Sequence, residues 1–76
     1  METILVVDDS EPLRRLMVRA LARAGFTVID APSAELAIAL AEKSPQPPRM
    51  LVTDLSMPGM GGEELAAHLT EINSGL

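Results

Sequence analysis

Three aspartates stand directly after short apolar runs, where the side chains of a parallel sheet can do chemistry. Asp8 and Asp9 follow the run over residues 4–7, and Asp54 follows the run over residues 50–53. If these runs are neighbouring parallel strands, the carboxylates converge at the carboxyl end of the sheet, where open α/β sheets bind ligands. Two negative charges about 4 Å apart repel by about 4 kcal/mol at an effective dielectric constant of 20. Such a group needs a cation or a proton.

The chemistry open to these aspartates is that of oxygen ligands. The sequence has no cysteine and a single histidine, and carboxylate oxygens suit a hard divalent ion, Mg²⁺ most naturally. A carboxylate beside Mg²⁺ can act as a nucleophile toward a phosphoryl group, because the ion neutralises charge on the transferred oxygens. Acidic residues after strands are also common as solvated turn formers. For Asp8 and Asp9 alone both interpretations are open, and the second acidic strand end favours a site.

The elements that must position these aspartates alternate along the chain. Hydrophobic periodicity predicts strands over residues 3–7, 26–29 and 50–53, and helices over about 12–24, 34–43 and 63–72. This βαβαβα order predicts an α/β fold with a parallel sheet, right-handed crossovers and helices on both faces. Residues 1–76 show no internal repeat and no sign of a second domain.

Composition excludes several classes of function. Six basic against eleven acidic residues give a net charge of -5, which argues against non-specific binding to nucleic acid or to an anionic membrane. No apolar stretch approaches the roughly 20 residues of a spanning helix, and the amino terminus lacks the pattern of a signal peptide. We therefore expect a cytoplasmic chain without nucleic-acid or membrane partners.

Two motifs resemble the receiver domain of two-component response regulators. The first is Ile-Leu-Val-Val-Asp-Asp over residues 4–9, an apolar strand that ends in an acidic pair. The second runs from Asp54 to Gly62 and fits the family's pattern of Asp, two residues, Met-Pro, three residues and Gly. Weaker matches are Arg15 and residues 25–28. The resemblance extends in register along the whole chain and implies a flavodoxin-like, three-layer α/β/α fold with strand order 2-1-3-4-5.

The resemblance also implies roles for individual residues. Asp54 matches the phosphoacceptor, which takes a phosphoryl group from the phosphohistidine of a histidine kinase or a histidine phosphotransfer domain. Asp9 matches a direct Mg²⁺ ligand, and Asp8 matches an acid that holds the ion largely through water. The backbone carbonyl of Ser56 matches a third protein ligand. The chain would then be a phosphoacceptor module and not an enzyme.

The sequence departs from the family in its number of units. A receiver has five βα units and this sequence supplies three, so the strands whose ends carry the Ser or Thr switch and the phosphoryl-contacting Lys are absent. We therefore expect a partial receiver domain over residues 1–76, truncated after the third βα unit. Phosphoryl transfer should be impaired because one cation is missing. Strand three would also be an apolar edge through which the chain can self-associate.

Other interpretations stay open. A receiver cut from a hybrid histidine kinase fits the sequence equally well, and the same half-fold could serve as a non-phosphorylated interaction module or as a degenerate or split receiver fragment. Two enzyme classes fit less well. An aspartate-nucleophile phosphatase needs Asp-x-Asp after strand one, and a dinucleotide-binding domain needs G-x-G-x-x-G there, where residues 8–11 read Asp-Asp-Ser-Glu.

Basic residues on the first predicted helix recur every four positions, at Arg15, Arg19 and Arg23. They lie opposite the apolar stripe of that helix, so they form either a solvated face or a docking surface for the kinase partner. His68, on the third predicted helix, is more simply explained as an exposed or packed side chain than as a phosphohistidine.

Overall fold

The computed structural model describes residues 2–44, 47–54 and 57–72 as a single parallel sheet with helices on both sides. The strands are β1 (Thr3–Val7), β2 (Thr27–Ala31) and β3 (Met50–Thr53), and the helices are α1 (Glu11–Arg23), α2 (Ala34–Lys43) and α3 (Gly62–Ile72). The strand order is β2-β1-β3, and both pairs are parallel. This is the start of the predicted flavodoxin-like order, and the predicted α/β fold class is confirmed.

Strand β1 is the centre of the sheet, and all five of its residues are buried. Its uninterrupted apolar run suits a strand that is covered on both faces. Leu5 and Val7 pack into a cluster with α2 and α3, so the alternation of side chains along a strand turns Ile4 and Val6 to the opposite face. Helix α1 packs on that face, against β1 and β2.

The register of the sheet determines which residues meet at its carboxyl edge. Val7 lies opposite Ala31 of β2 and Thr53 of β3. The residues that follow β1 and β3 therefore leave the sheet side by side. This pairing brings the acidic residues after the two strands to the same edge of the sheet.

Helix α1 begins and ends one residue earlier than the periodicity predicts. The carbonyl of Ser10 accepts the N–H of Arg14 at 2.9 Å, which closes the first turn. At the other end Gly25 has φ +100°, a conformation that glycine adopts without a steric penalty, and the N–H of Phe26 donates back to the carbonyl of Leu21 at 3.2 Å. Phe26 thus lies in the turn after the helix, and strand two begins at Thr27, one residue later than predicted.

Strand β2 runs two residues further than predicted because its partner continues. Ala31 pairs with Val7 in the parallel register, and the carbonyl of Ala31 accepts the N–H of Asp8 at 3.2 Å. Asp30 therefore lies within the strand and not in the loop after it. The sequence pattern ended this strand at residue 29 because Asp30 breaks the apolar run.

The apolar stripe of α1 is only partly covered. None of the residues of this helix is buried. On its sheet side Met17 and Leu21 are half-buried, whereas Leu13 is 55% exposed and Leu16 is 64% exposed. The described part of the chain therefore presents an open apolar face beside the sheet.

Helix α2 lies on the other side of the sheet with its small residues inward. Its sequence is apolar almost all round and does not define a buried face. The structure buries Ala34, Ala37 and Ala41 and leaves Leu36 exposed. The hydroxyl of Ser33 caps the helix by accepting the N–H of Leu36 at 3.2 Å, which satisfies one of the free amides of the first turn.

Helix α3 completes this layer through Leu65 and Leu69, which are buried in the same cluster. These are the first two positions of the predicted apolar stripe, and the helix begins at Gly62, one residue earlier than predicted. Over the described ranges, we find no helix with the length and apolarity needed to cross a membrane.

Candidate metal centre

Three carboxylates meet at the carboxyl edge of the sheet. Asp8, Asp9 and Asp54 each offer one oxygen, and these oxygens all lie within 4.8 Å of one another. Asp8 and Asp9 follow β1, and Asp54 follows β3. The convergence predicted from the two strand ends is therefore present in the structure.

Asp8 is the buried member of the group and is held at three points. Its N–H donates to the carbonyl of Ala31 at 3.2 Å. Its Oδ1 accepts the N–H of Ser10 at 2.9 Å, and its backbone carbonyl accepts a hydrogen bond from Arg14 Nη1 at 2.9 Å. Three hydrogen bonds therefore hold the loop between β1 and α1 at Asp8.

Asp9 and Asp54 are the exposed members and face solvent. The N–H of Asp54 donates to the carbonyl of Val7 at 3.2 Å, which continues the pairing of β3 with β1 by one residue. Asp54 is thus placed by the sheet itself, and a carboxylate in an exposed position is accessible to a reacting partner.

Arg14 is the residue at this site that the sequence pattern did not reveal. Its Nε donates to Asp30 Oδ2 at 2.9 Å, and its Nη1 reaches the carbonyl of Asp8. The Arg14 side chain is 13% exposed, whereas that of its neighbour Arg15 is 74% exposed and pairs loosely with Glu11 at 3.4 Å. The one sequence feature that pairs with Arg14 is Asp30, 16 positions later, and it indicates a contact only once β2 is known to lie beside the loop.

The electrostatics of the three carboxylates favour a bound cation. Like charges at this separation repel, and each added carboxylate raises the cost of leaving the group uncompensated. All the donors are oxygens, and Mg²⁺ binds through a few carboxylates while it keeps several waters. The two exposed members leave room for such waters, so the residues present fit a magnesium ion.

The loop after Asp54 is only partly described. The predicted ligand Ser56 lies outside the described residues. Beyond it, Met57 is buried in the cluster under the sheet, as a packing residue and not a ligand. Gly59 has φ +78°, and a Cβ at this position would lie 3.2 Å from Glu35 Oε2 of α2. A glycine is therefore needed where this loop passes the start of α2.

The other residues of interest lie away from the carboxylates. Arg15, Arg19 and Arg23 are exposed on α1, and an open groove beside them is lined by Arg15, Val18, Arg19 and Asp30. His68 is exposed on α3. Exposure leaves both interpretations of the arginines open and gives His68 no special environment.

The chain matches a family model and several known proteins. The model is that of the response regulator receiver domain, and it matches residues 4–76. The response regulator receiver protein CpdR of Brucella abortus is 38% identical over 76 residues, which are 100% of this chain and 62% of that protein. The chain therefore spans less than two thirds of this relative.

Solved structures match in fold. The response regulator TrrA of Thermotoga maritima, crystallised with Mg²⁺ and BeF, has a TM-score of 0.85 at 28% identity, over 97% of this chain and 63% of that one. TrrA in complex with the histidine kinase ThkA has a TM-score of 0.81 at 28% identity, over 97% of this chain and 62% of that one. Both likenesses rest on the part of the fold that carries the three carboxylates.

Proposed function

The chain belongs to the response regulator receiver domain family, and from this premise we propose that it accepts a phosphoryl group on Asp54 with Mg²⁺ bound beside it. The observation that carries the proposal is the approach of Asp8, Asp9 and Asp54 to within 4.8 Å. Among the described residues, this is the one group of three or more His, Asp or Glu side chains whose ligand atoms lie close enough to hold a metal ion.

The transfer assigns a separate task to each residue. An oxygen of the Asp54 carboxylate attacks phosphorus, and the bond from phosphorus to the donor nitrogen breaks as the new phosphorus–oxygen bond forms. The imidazole nitrogen of the donor leaves with the bonding electrons and takes up a proton from solvent. Asp8 and Asp9 would hold the ion, which supplies charge neutralisation at the phosphoryl oxygens. The carbonyl of Ser56 is the proposed third protein ligand.

Asp54 is suited to be the nucleophile because it is exposed and Asp8 is not. A phosphohistidine on another protein must reach the attacking oxygen along the line of the breaking bond. A buried carboxylate that already accepts the Ser10 amide is poorly placed for this and better suited to hold a cation. Because Asp54 is itself modified in each transfer, we propose a phosphoacceptor and not an enzyme.

The test is labelling by a small phosphodonor. We expect acetyl phosphate with Mg²⁺ to add one phosphoryl group to the chain, seen by intact mass spectrometry, and we expect Asp54→Asn to add none. Glu63→Gln, which removes one exposed acid on α3, is the matched control and should label as the parent does. Labelling of Asp54→Asn at the parental rate would exclude Asp54 as the acceptor.

The proposed donor is a histidine kinase or a histidine phosphotransfer domain. The similarity to TrrA, which was crystallised with the kinase ThkA, supports this partner class. The exposed arginines of α1 lie on the helix that follows the Asp8-Asp9 loop, so a partner that reaches Asp54 would pass close to them. The cytoplasmic location inferred from the sequence agrees with such a donor and stays a prediction.

We also propose that the chain self-associates through β3, which stands at one end of the sheet. Among the described residues β3 pairs with β1 on one side, a strand at the end of a sheet offers its other side for pairing with another chain, and Met50 is 54% exposed there. This observation also keeps the second candidate function open, an interaction module that acts without phosphorylation. A partial receiver domain over residues 1–76 fits both candidates.

A further inference from the structure

Arg14 joins three parts of the fold at the edge of the metal centre. It belongs to the first turns of α1, its Nε donates to Asp30 on β2, and its Nη1 donates to the carbonyl of Asp8 after β1. Both distances are 2.9 Å, which is typical of hydrogen bonds from a charged donor. The planar fork of a guanidinium makes both bonds in fixed directions, whereas the ammonium group of lysine has three rotatable donors and no fixed fork.

The bond to Asp8 acts on the backbone between two of the carboxylates. The carbonyl of Asp8 and the N–H of Asp9 belong to one planar peptide unit. A donor that fixes the direction of this carbonyl therefore fixes the plane from which Asp9 departs. The N–H of Asp8 holds the preceding peptide, and the bond that its Oδ1 accepts from Ser10 closes a turn around the Asp8-Asp9 peptide without contacting the carbonyl that Arg14 holds.

We propose that Arg14 is a positioning residue, which sets the Asp8-Asp9 peptide so that both carboxylates face Asp54 and a divalent cation. The link to a cation rests on the proposed function, and the link to the loop does not. Asp30 holds the guanidinium in place, so the end of β2 also contributes to the geometry of the site.

The sign of one measurement separates positioning from simple electrostatics. A positive charge near the carboxylates repels Mg²⁺, so if charge alone mattered, removing it would tighten Mg²⁺ binding. If Arg14 positions the loop, its removal weakens Mg²⁺ binding although the repulsion is gone. Loss of a group that orients metal ligands typically reduces metal affinity by about 10-fold or more.

The experiment is a titration of the full chain with MgCl₂, followed by backbone amide shifts in NMR. We expect Arg14→Met to raise the Kd for Mg²⁺ by about 10-fold, and Arg14→Lys to raise it as well despite the retained charge. Asp30→Asn should act in the same direction with a smaller effect, because Nη1 keeps its bond to Asp8. Arg49→Met, which removes an exposed arginine at the opposite edge of the sheet, is the matched control and should bind as the parent does.

A second readout is independent of the metal. In Mg²⁺-free protein, we expect the Ser10 amide, which donates to Asp8 Oδ1, to exchange with deuterium faster in Arg14→Met than in the parent. The amides of β1 should keep their protection, which shows that the chain is folded. If Arg14→Met does not fold, Arg14→Lys supplies the same comparison.

The outcomes distinguish the two proposals. Unchanged Ser10 exchange, or Mg²⁺ binding that is equal or tighter in Arg14→Met, would overturn the positioning role. If the parent itself shows no response to Mg²⁺, the proposed metal site fails, and Ser10 exchange still decides whether Arg14 holds the loop.

Discussion

At the scale of single residues, the three clustered carboxylates lower the stability of the chain and form a place where a cation can bind. Three oxygens within 4.8 Å repel one another when no ion is present. A site of this kind lowers the free energy of unfolding of the free chain and recovers it when a cation binds. The loss of stability from repulsion and the gain from cation binding can both be measured on one variant.

We predict that Asp54→Asn stabilises the Mg²⁺-free chain and removes the stabilisation that Mg²⁺ gives to the parent. The gain is on the order of 1 kcal/mol, since that is the energy of two charges about 4 Å apart in water. Thermal melts followed by circular dichroism, with and without MgCl₂, measure both effects. Glu42→Gln removes an exposed charge of α2 and should leave the response to Mg²⁺ intact. A melting temperature of Asp54→Asn that still rises with Mg²⁺ as in the parent would place the ion elsewhere.

The sequence predicts these aspartates well because the strand ends carry them. Asp8 and Asp54 each follow a short apolar run, and a parallel sheet brings the ends of such runs to one edge. Arg14 escaped prediction because its partners, Asp30 and the carbonyl of Asp8, become neighbours only in the folded sheet. One of those partners is a backbone atom, which no pattern of side chains can indicate.

At the scale of elements, the sequence predicts where helices and strands occur more accurately than which faces they bury. Strand β1 and helix α2 have the predicted bounds, because apolar runs and turn residues delimit them. The buried face of α2 could not be predicted, because the helix has leucines and alanines on every side. The helix lies close to the sheet, so the small side chain of Ala37 is buried there and the longer Leu36 is on the exposed face.

This packing predicts that α2 tolerates large side chains on one face only. Ala37 is fully buried, so Ala37→Leu must displace its neighbours and should lower the free energy of unfolding by about 1–3 kcal/mol. Leu36→Ala, on the exposed face, should change it by less than about 0.5 kcal/mol. Urea denaturation of the two variants beside the parent measures the difference. Equal effects at both positions would mean that α2 is rotated about its axis relative to the sheet.

The cap of α2 offers a second test at this scale. The hydroxyl of Ser33 accepts the N–H of Leu36, and replacement of such a cap by alanine typically costs about 1 kcal/mol. We expect Ser33→Ala to lower the midpoint of urea denaturation, and Ser33→Asp to retain most of the parental stability. Ser10, whose side chain makes no capping bond to α1, supplies the comparison. If Ser10→Ala proves as costly as Ser33→Ala, the loss does not come from the capping bond.

At the scale of the whole molecule, the structure leaves apolar surface on the side of the sheet that α1 only partly covers. Leu13 and Leu16 of α1 and Met50 of β3 are all more than half exposed. Among the described elements, helix α1 packs on β1 and β2 of this face, so α1 leaves the β3 end of it uncovered. A chain of 76 residues buries only about 60% of the surface of its unfolded form, and an open face of this kind costs it further stability. Association would recover part of that cost.

We predict that the chain associates in a concentration-dependent way and that a lysine on β3 prevents this. Met50→Lys places a charge on the edge strand, a common protection of natural sheets against pairing with another chain, and Met50 is exposed enough for the fold to accept it. Sedimentation velocity over a range of concentrations should show the parent growing in mass and Met50→Lys remaining a monomer. Leu36→Lys adds the same charge on the exposed face of α2 and should associate as the parent does, because charge alone is not the cause. A parent chain that sediments as a monomer at every concentration and melts cooperatively would rule out the association, because the chain would then be stable without a partner on β3.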